Sequence, residues 1–237
     1  MKSELSKRLM SSMVLIPVVF YCIMSGSYYF NFLIITSFLI SIFEWNSMNK
    51  RKLYSTIGLI FLFISYLTIF LIRNNFGEQS LYFFLVITLT CVSTDLGGYI
   101  FGKIFGGPKL TKLSPKKTYS GMIGAFVFSI VVLILFNKYN FISDYYSNKT
   151  NINFIFVILI ISSVSQIGDI IVSYFKRKAK IKHTGRIIPG HGGLLDRTDG
   201  MIFAFPISYL RVTELACEPG RKNGRWSSAC VRGDARG

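Results

Sequence analysis

Tyr54-Ser-Thr-Ile-Gly-Leu-Ile-Phe-Leu-Phe-Ile-Ser-Tyr-Leu-Thr-Ile-Phe-Leu-Ile72 carries no charged side chain; Lys50, Arg51 and Lys52 stand before it and Arg73 follows it. At a helical rise of ~1.5 Å per residue, such a run nearly matches the ~30 Å hydrocarbon core of a bilayer. Its polar members, Gly58, Ser65 and Thr68, are small and isolated. The stretch reads as a membrane-spanning helix, because a backbone crossing lipid must satisfy its own N–H and C=O groups.

Outward from it the same pattern recurs at Leu9 to Met24, Tyr28 to Phe43, Leu81 to Thr94, Met122 to Phe136 and Ile152 to Ile167. Several of these runs fall short of the ~20 residues a span ideally needs, so their edges are soft and Ser93 and Thr94 are expected to prolong a helix. Composition agrees: 51% of residues are hydrophobic and only 16% charged, against about a quarter charged in a soluble domain. The expected fold is an all-α, polytopic integral membrane bundle with its active-site loops on the cytoplasmic face. Lys2, Lys7 and Arg8 before the first run would also suit a signal peptide. No small-residue cleavage site follows Ser25, so the run reads as a retained anchor.

Counting Lys and Arg on alternate sides supports the span number. Ahead of the tail at 211–237, the N-terminus, residues 50–52 and the two long connections, Asp95 to Gly121 and Gly168 to Asp199, hold all of them but three; the other side holds Arg73, Lys138 and Lys149. Basic residues mark cytoplasmic loops, so both long connections are expected to face the cytoplasm. The net charge of +16 therefore belongs to loops that meet headgroups and phosphates. No nucleic-acid motif or base-stacking pattern accompanies it. Cys22 and Cys91 fall in apolar runs and Cys217 and Cys230 lie near the end, without CxxC spacing, so neither zinc nor a disulfide is expected.

Three regions follow: 1–94 with four spans, 95–210 with the two loops and a last run, and an atypical tail, 211–237. The last run, Met201 to Leu210, would reach only ~15 Å as a helix. From Arg211 the composition shifts to Gly, Arg, Ala, Cys and Trp. A shifted reading frame or foreign sequence is expected there, with the natural last helix lost and activity impaired. A natural basic tail is the competing reading.

The first long connection contains Asp95-Leu-Gly-Gly-Tyr99, Gly102-Lys-Ile-Phe-Gly-Gly-Pro-Lys109 and Ser114-Pro-Lys-Lys-Thr118. Glycines let backbone N–H groups approach an anion and lysines add charge, which suits a polyphosphate; a merely flexible loop is the alternative. It lacks Walker A spacing. The second contains Ser165-Gln-Ile-Gly-Asp169, Ser173-Tyr-Phe-Lys-Arg177 and Ile188-Pro-Gly-His-Gly-Gly-Leu-Leu-Asp-Arg-Thr-Asp199. Asp196 and Asp199, three apart, share a face if helical and suit one magnesium ion. Alternatively they charge and cap the start of the next helix. Asp95 and Asp169 each sit where a span meets a loop, a place that favours function. His191 can bond a phosphate or carboxylate, whereas His183 reads as a solvated loop residue.

Ser173 to Arg177, spaced ahead of Pro189 to Asp199, resembles the signature of the phosphatidate cytidylyltransferase (CDP-diglyceride synthase) family. Asp95 to Tyr99, Gly102-Lys103, Ser114 to Thr118 and Gln166 to Asp169 resemble its other stretches in the same order. The likeness in motifs runs from Asp95 to about Pro206 and departs at Ser120, at Val172 and at Lys182-His183-Thr184-Gly185, where the family usually has acidic residues. The resemblance implies transfer of CMP from CTP to phosphatidic acid with magnesium, in a bacterial inner membrane. Asp196 and Asp199, with Asp169, are the expected metal ligands. Lys103, Lys116, Lys117, Lys176 and Arg177 are expected to bind phosphates, and Arg197 or His191 to contact one. Asp95, Ser114, Thr118, Gly192 and Gly193 complete the expected substrate contacts. The partners implied are the two substrates and the bilayer, with no nucleic acid; a homodimer is compatible. A CTP-dependent lipid kinase and a transporter are the rivals. The kinase differs by its product, and the transporter lacks the polar, broken helices expected at mid-membrane.

Overall fold

The computed structural model describes residues 2–48, 52–111, 114, 117–138, 151–181, 183–185, 187 and 192–217. Among them are seven α-helices: α1 Lys2–Ser25, α2 Ser27–Met48, α3 Lys52–Asn74, α4 Ser80–Phe105, α5 Tyr119–Lys138, α6 Asn151–Lys178 and α7 Leu195–Cys217. A short 3-10 turn, Gly77–Gln79, precedes α4, and no strand occurs among the described residues. Five helices, α2 to α6, are long and apolar enough to cross a membrane, and α1 contains a shorter apolar stretch, Met10–Ser25. The chain is a multi-pass membrane protein.

Every expected span is present, and most run further than hydropathy implied. α4 continues past Thr94 to Phe105 and α6 past Ile167 to Lys178, so Asp95 and Asp169 are helical residues rather than members of loops. A helix has no reason to stop where lipid does, since its hydrogen bonds are internal. The long connections shrink accordingly to 106–118 and 179–194. α6 ends with Lys180 at φ +58°, its N–H bonded to the Arg177 carbonyl and that of Ile181 to the Lys176 carbonyl, both at 3.0 Å. This left-handed stop satisfies the last carbonyls and turns the chain back toward α7.

The last helix also corrects an expectation. α7 does not stop at Leu210; it runs 23 residues to Cys217, about 35 Å at helical rise. Arg211-Val-Thr-Glu-Leu-Ala-Cys217 contains neither Gly nor Pro, so nothing local breaks it. α7 is not among the five apolar spans, and Val212 within the prolongation is buried.

The core lies where α2, α3, α4 and α7 meet. Phe84 meets Phe30 edge-on and Phe205 at a tilt, with ring centroids 5.3 and 5.6 Å apart, and Ile87, Leu195 and Ile202 belong to the same buried cluster. Met13, Ile16 and Phe20 on α1 remain exposed and face lipid. α4 and α5 cross closely because glycines leave no side chain between them. A methyl group at Gly97 would strike the Gly124 carbonyl and Phe128, and one at Gly121 would lie 2.7 Å from the Gly98 carbonyl oxygen. Gly97 and Gly102, expected to cradle an anion in a loop, instead pack against α5, whereas Gly98 lines a cleft.

Candidate active site

Four aspartates and two lysines gather at one end of the bundle. The 106–118 connection folds on itself through one antiparallel bridge between Lys109 and Thr118, and the Leu110 N–H donates to the Lys117 carbonyl at 2.8 Å. Thr118 then caps α5, its Oγ1 accepting the Gly121 N–H at 3.1 Å. Ser120, where the family resemblance led one to expect an acid, donates to the Gly106 carbonyl and hydrogen-bonds Thr118. These local bonds fix Lys117, which lies 2.6 Å from Asp169 Oδ2 and donates to the Gln166 carbonyl at 3.2 Å. Ser173 donates to the other Asp169 oxygen at 3.2 Å.

Lys176, one turn further along α6, reaches α7. Its ammonium lies 3.0 Å from Asp196 Oδ1 and 3.7 Å from Asp199 Oδ2, all three side chains being largely buried. Asp196 Oδ2 accepts the N–H groups of Thr184 at 3.0 Å and Gly193 at 3.2 Å. Burial alone would raise the Asp196 carboxyl, but the Thr184 N–H, the Lys176 ammonium and the Gly193 N–H together hold it below its ordinary value. The apolar part of α7 begins at Met201, so Asp199 also stands before it. Burial, then the charge of Asp169, push the Asp199 carboxyl well above its ordinary value; Asp95 adds to this and Lys176 opposes it.

A cleft of about 290 Å³ opens beside this cluster, with Asp95, Ser114, Lys117, Thr118 and Asp169 set among apolar residues such as Leu110 and Met122. The expected substrate contacts Asp95, Ser114, Lys117 and Thr118 therefore share one wall with Asp169. Lys103 is exposed and does not line the cleft, its ammonium 5.8 Å from the ring centroid of Tyr99, which does. Arg177 and Arg197 are exposed on α6 and α7. Lys116 and His191 lie outside the described residues. Gly192 takes φ +95°, and it and Gly193 close round Asp196 and Glu44 respectively. His183, read as solvated, is half exposed yet stands 3.5 Å from Asp196 Oδ2. Val172, another departure from the family pattern, is buried beside the apolar residues Trp45, Phe175 and Leu195.

The oxygen donors suit a hard divalent cation. Asp169 and Asp199 confront each other, a repulsion that a dication would relieve. Among the described residues, no three carboxylate, imidazole or thiolate groups converge on one point; Lys117 and Lys176 occupy the spaces between the aspartates.

Sequence reasoning passed over Glu44. It sits on α2, 1% exposed, and accepts hydrogen bonds from Thr184 Oγ1 at 2.8 Å and from the N–H groups of Leu194 and Leu195, both at 2.9 Å. Its signal was a lone carboxylate at the end of an apolar run, hidden because the expected span stopped at Phe43. Glu44, rather than Asp199, answers the first N–H groups of α7.

Residues 49–214 match the Cytidylyltransferase family. A phosphatidate cytidylyltransferase of Rickettsia bellii is 37% identical over 217 residues, covering 88% of this chain and 90% of its own length. That of Rickettsia conorii is 37% identical over 218 residues, covering 88% and 91%. One from Staphylococcus haemolyticus is 39% identical over 146 residues, 61% of this chain and 52% of its own length.

Proposed function

This chain belongs to the cytidylyltransferase family, and from that membership we propose that its cleft transfers CMP from CTP to phosphatidic acid. The products are CDP-diacylglycerol and pyrophosphate. In the reaction an oxygen of the lipid phosphate forms a bond to the α-phosphorus of CTP, and the bond from that phosphorus to the β-phosphate oxygen breaks. The lipid phosphate is anionic near neutral pH, so no side chain need remove a proton. What remains is to hold two polyanions in line and offset the charge that gathers on pyrophosphate.

The observation that carries the reading is that Lys117, held on Asp169, lines the cleft while Lys176, held on Asp196 and near Asp199, stands in the adjoining cluster. Their ammonium groups can pass from carboxylate to phosphate oxygens without leaving the site. Asp169 and Asp199 would hold magnesium, with Asp196 as the third candidate; when bound, the ion supplies charge to phosphate oxygens. Asp95 faces the same cleft. Lys103 and Arg177, exposed at the same end, would steer the nucleotide inward. The site then faces the cytoplasm across a bacterial inner membrane, since the basic connections lie on its side.

The experiment is a magnesium-dependent assay of purified protein with CTP and phosphatidic acid, reading pyrophosphate and CDP-lipid. Asp196→Asn is expected to abolish turnover while leaving the protein in the membrane fraction. A fully active variant would remove Asp196 from the metal site, full activity of Asp199→Asn would refute the metal assignment, and release of CDP instead of pyrophosphate would replace the transferase with a lipid kinase.

A further inference from the structure

We propose that Glu44 is a positioning residue for nucleotidyl transfer, setting from α2 the backbone at 184–185 and 193–195 and thereby the aim of Asp196 and Lys176. The inference rests on the reading of the site given above and names a residue that does not touch either substrate.

Leu194 is the N-cap of α7: its carbonyl accepts the N–H groups of Arg197 at 2.9 Å and Thr198 at 3.2 Å. A helix's first N–H groups have no partner within the helix, and a Ser or Asp at the cap usually supplies one. Leucine cannot. Glu44, from another helix, serves the two N–H groups ahead of those a local cap would take, Oε1 accepting from Leu194 and Oε2 from Leu195. Burying a carboxylate for this purpose is costly compared with a local cap. It achieves something a local cap cannot, because Oε2 also takes the Thr184 hydroxyl. One carboxylate thus ties the end of the α6 to α7 connection to a residue ten positions earlier.

Thr184 is the link to the chemistry. Its hydroxyl is held by Glu44 and its N–H by Asp196 Oδ2, whose other oxygen holds Lys176. The run of bonds is Glu44 to Thr184 to Asp196 to Lys176. The backbone also fits against the carboxylate on both sides: a methyl group at Gly185 would lie 2.6 Å from Glu44 Oε1, and one at Gly193 would lie 2.5 Å from Oε2. The end of α2 is itself anchored, Trp45 Nε1 donating to the Ser55 carbonyl at 3.2 Å and its ring meeting Phe175 of α6 edge-on at 5.1 Å. Glu44 is therefore a fixed template, and a shift of its partners is passed to the carboxylate and ammonium at the cleft.

The test compares the whole protein with Glu44→Gln and Thr184→Val in CTP turnover and in amide hydrogen exchange. Glutamine keeps the size but turns one acceptor into an NH2 group that faces other donors. In both variants the Leu194 and Leu195 amides are expected to exchange faster while α3 and α5 stay protected. The kcat per folded molecule is expected to fall at least about tenfold, with KM for CTP changed far less, as misplacement of reacting groups predicts. Thr184→Ser, which keeps the hydroxyl, is expected to recover most of the rate lost in Thr184→Val. Wild-type kcat per folded molecule in Glu44→Gln, or in Thr184→Val with only the yield of folded protein reduced, would make Glu44 a structural staple and overturn the inference alone. A wild-type protein that turns over no CTP overturns the functional reading itself.

Discussion

Replacing Lys176 with methionine keeps most of the apolar stem and removes the ammonium with its charge and its hydrogen bond to Asp196. The ammonium sits 3.0 Å from one Asp196 oxygen and 3.7 Å from one Asp199 oxygen. At an effective dielectric of ~20 these contacts correspond to gross attractions of about 5.5 and 4.5 kcal/mol. Most of that offsets the removal of three charges from water, so the intact cluster adds little net stability. Removing one partner is another matter, because both carboxylates stay buried, and breaking such a cluster costs about 3–5 kcal/mol. Asp196 retains the N–H groups of Thr184 and Gly193, and Asp199, already biased toward its protonated form, can take a proton. The lower end, about 3 kcal/mol, is therefore expected, which in a chain of this size lowers Tm by about 6–12 °C. Turnover suffers more, since a preorganised cation at a developing charge is worth about 10²–10³ in kcat. Heating in detergent micelles gives the first quantity and pyrophosphate release the second. Lys176→Met with an unchanged Tm would refute the electrostatic reasoning, and unchanged kcat would remove Lys176 from the site.

Thr118→Ala removes the hydroxyl that caps α5, a loss of about 1 kcal/mol, and thermal unfolding beside Thr118→Ser should show it. Because Thr118 also orders the turn that presents Lys117, KM for CTP is expected to rise. Gly124→Val places a branched side chain against Phe101 and within 2.8 Å of the Gly97 carbonyl oxygen; the α4 and α5 helices must part, and folded yield in membranes is expected to collapse, whereas Gly77→Ala, with open space around it, should not reduce yield comparably. Gly193→Ala puts a methyl group against Thr184 and Glu44, and is expected to lower kcat in CTP turnover even where the protein remains folded.

Much of the architecture was legible because lipid imposes a simple rule. Uncharged runs such as Tyr54 to Ile72 leave a helix as the only economical way to satisfy the backbone, and all the expected spans are helices. The ends of those helices were not legible. Hydropathy marks where lipid stops, not where hydrogen bonding stops, so α4 and α6 run past Thr94 and Ile167 and α7 past Leu210. The same effect misassigned Gly97 and Gly102, whose use depends on the helix they happen to face.

At the candidate site, residue types and spacing pointed to Asp95, Asp169, Asp196 and Asp199, because carboxylates are rare near lipid, and the family resemblance added Lys117 and Lys176 as two of five basic residues. Which lysine holds which aspartate was decided only by the fold: Lys117 reaches Asp169 through a turn closed on itself, and Lys176 reaches α7 because α6 extends to Lys178. Glu44 belongs wholly to tertiary structure. Its partners lie far along the chain, and only the packing of α2 against α7 brings its oxygens to the N–H groups that α7 leaves unpaired.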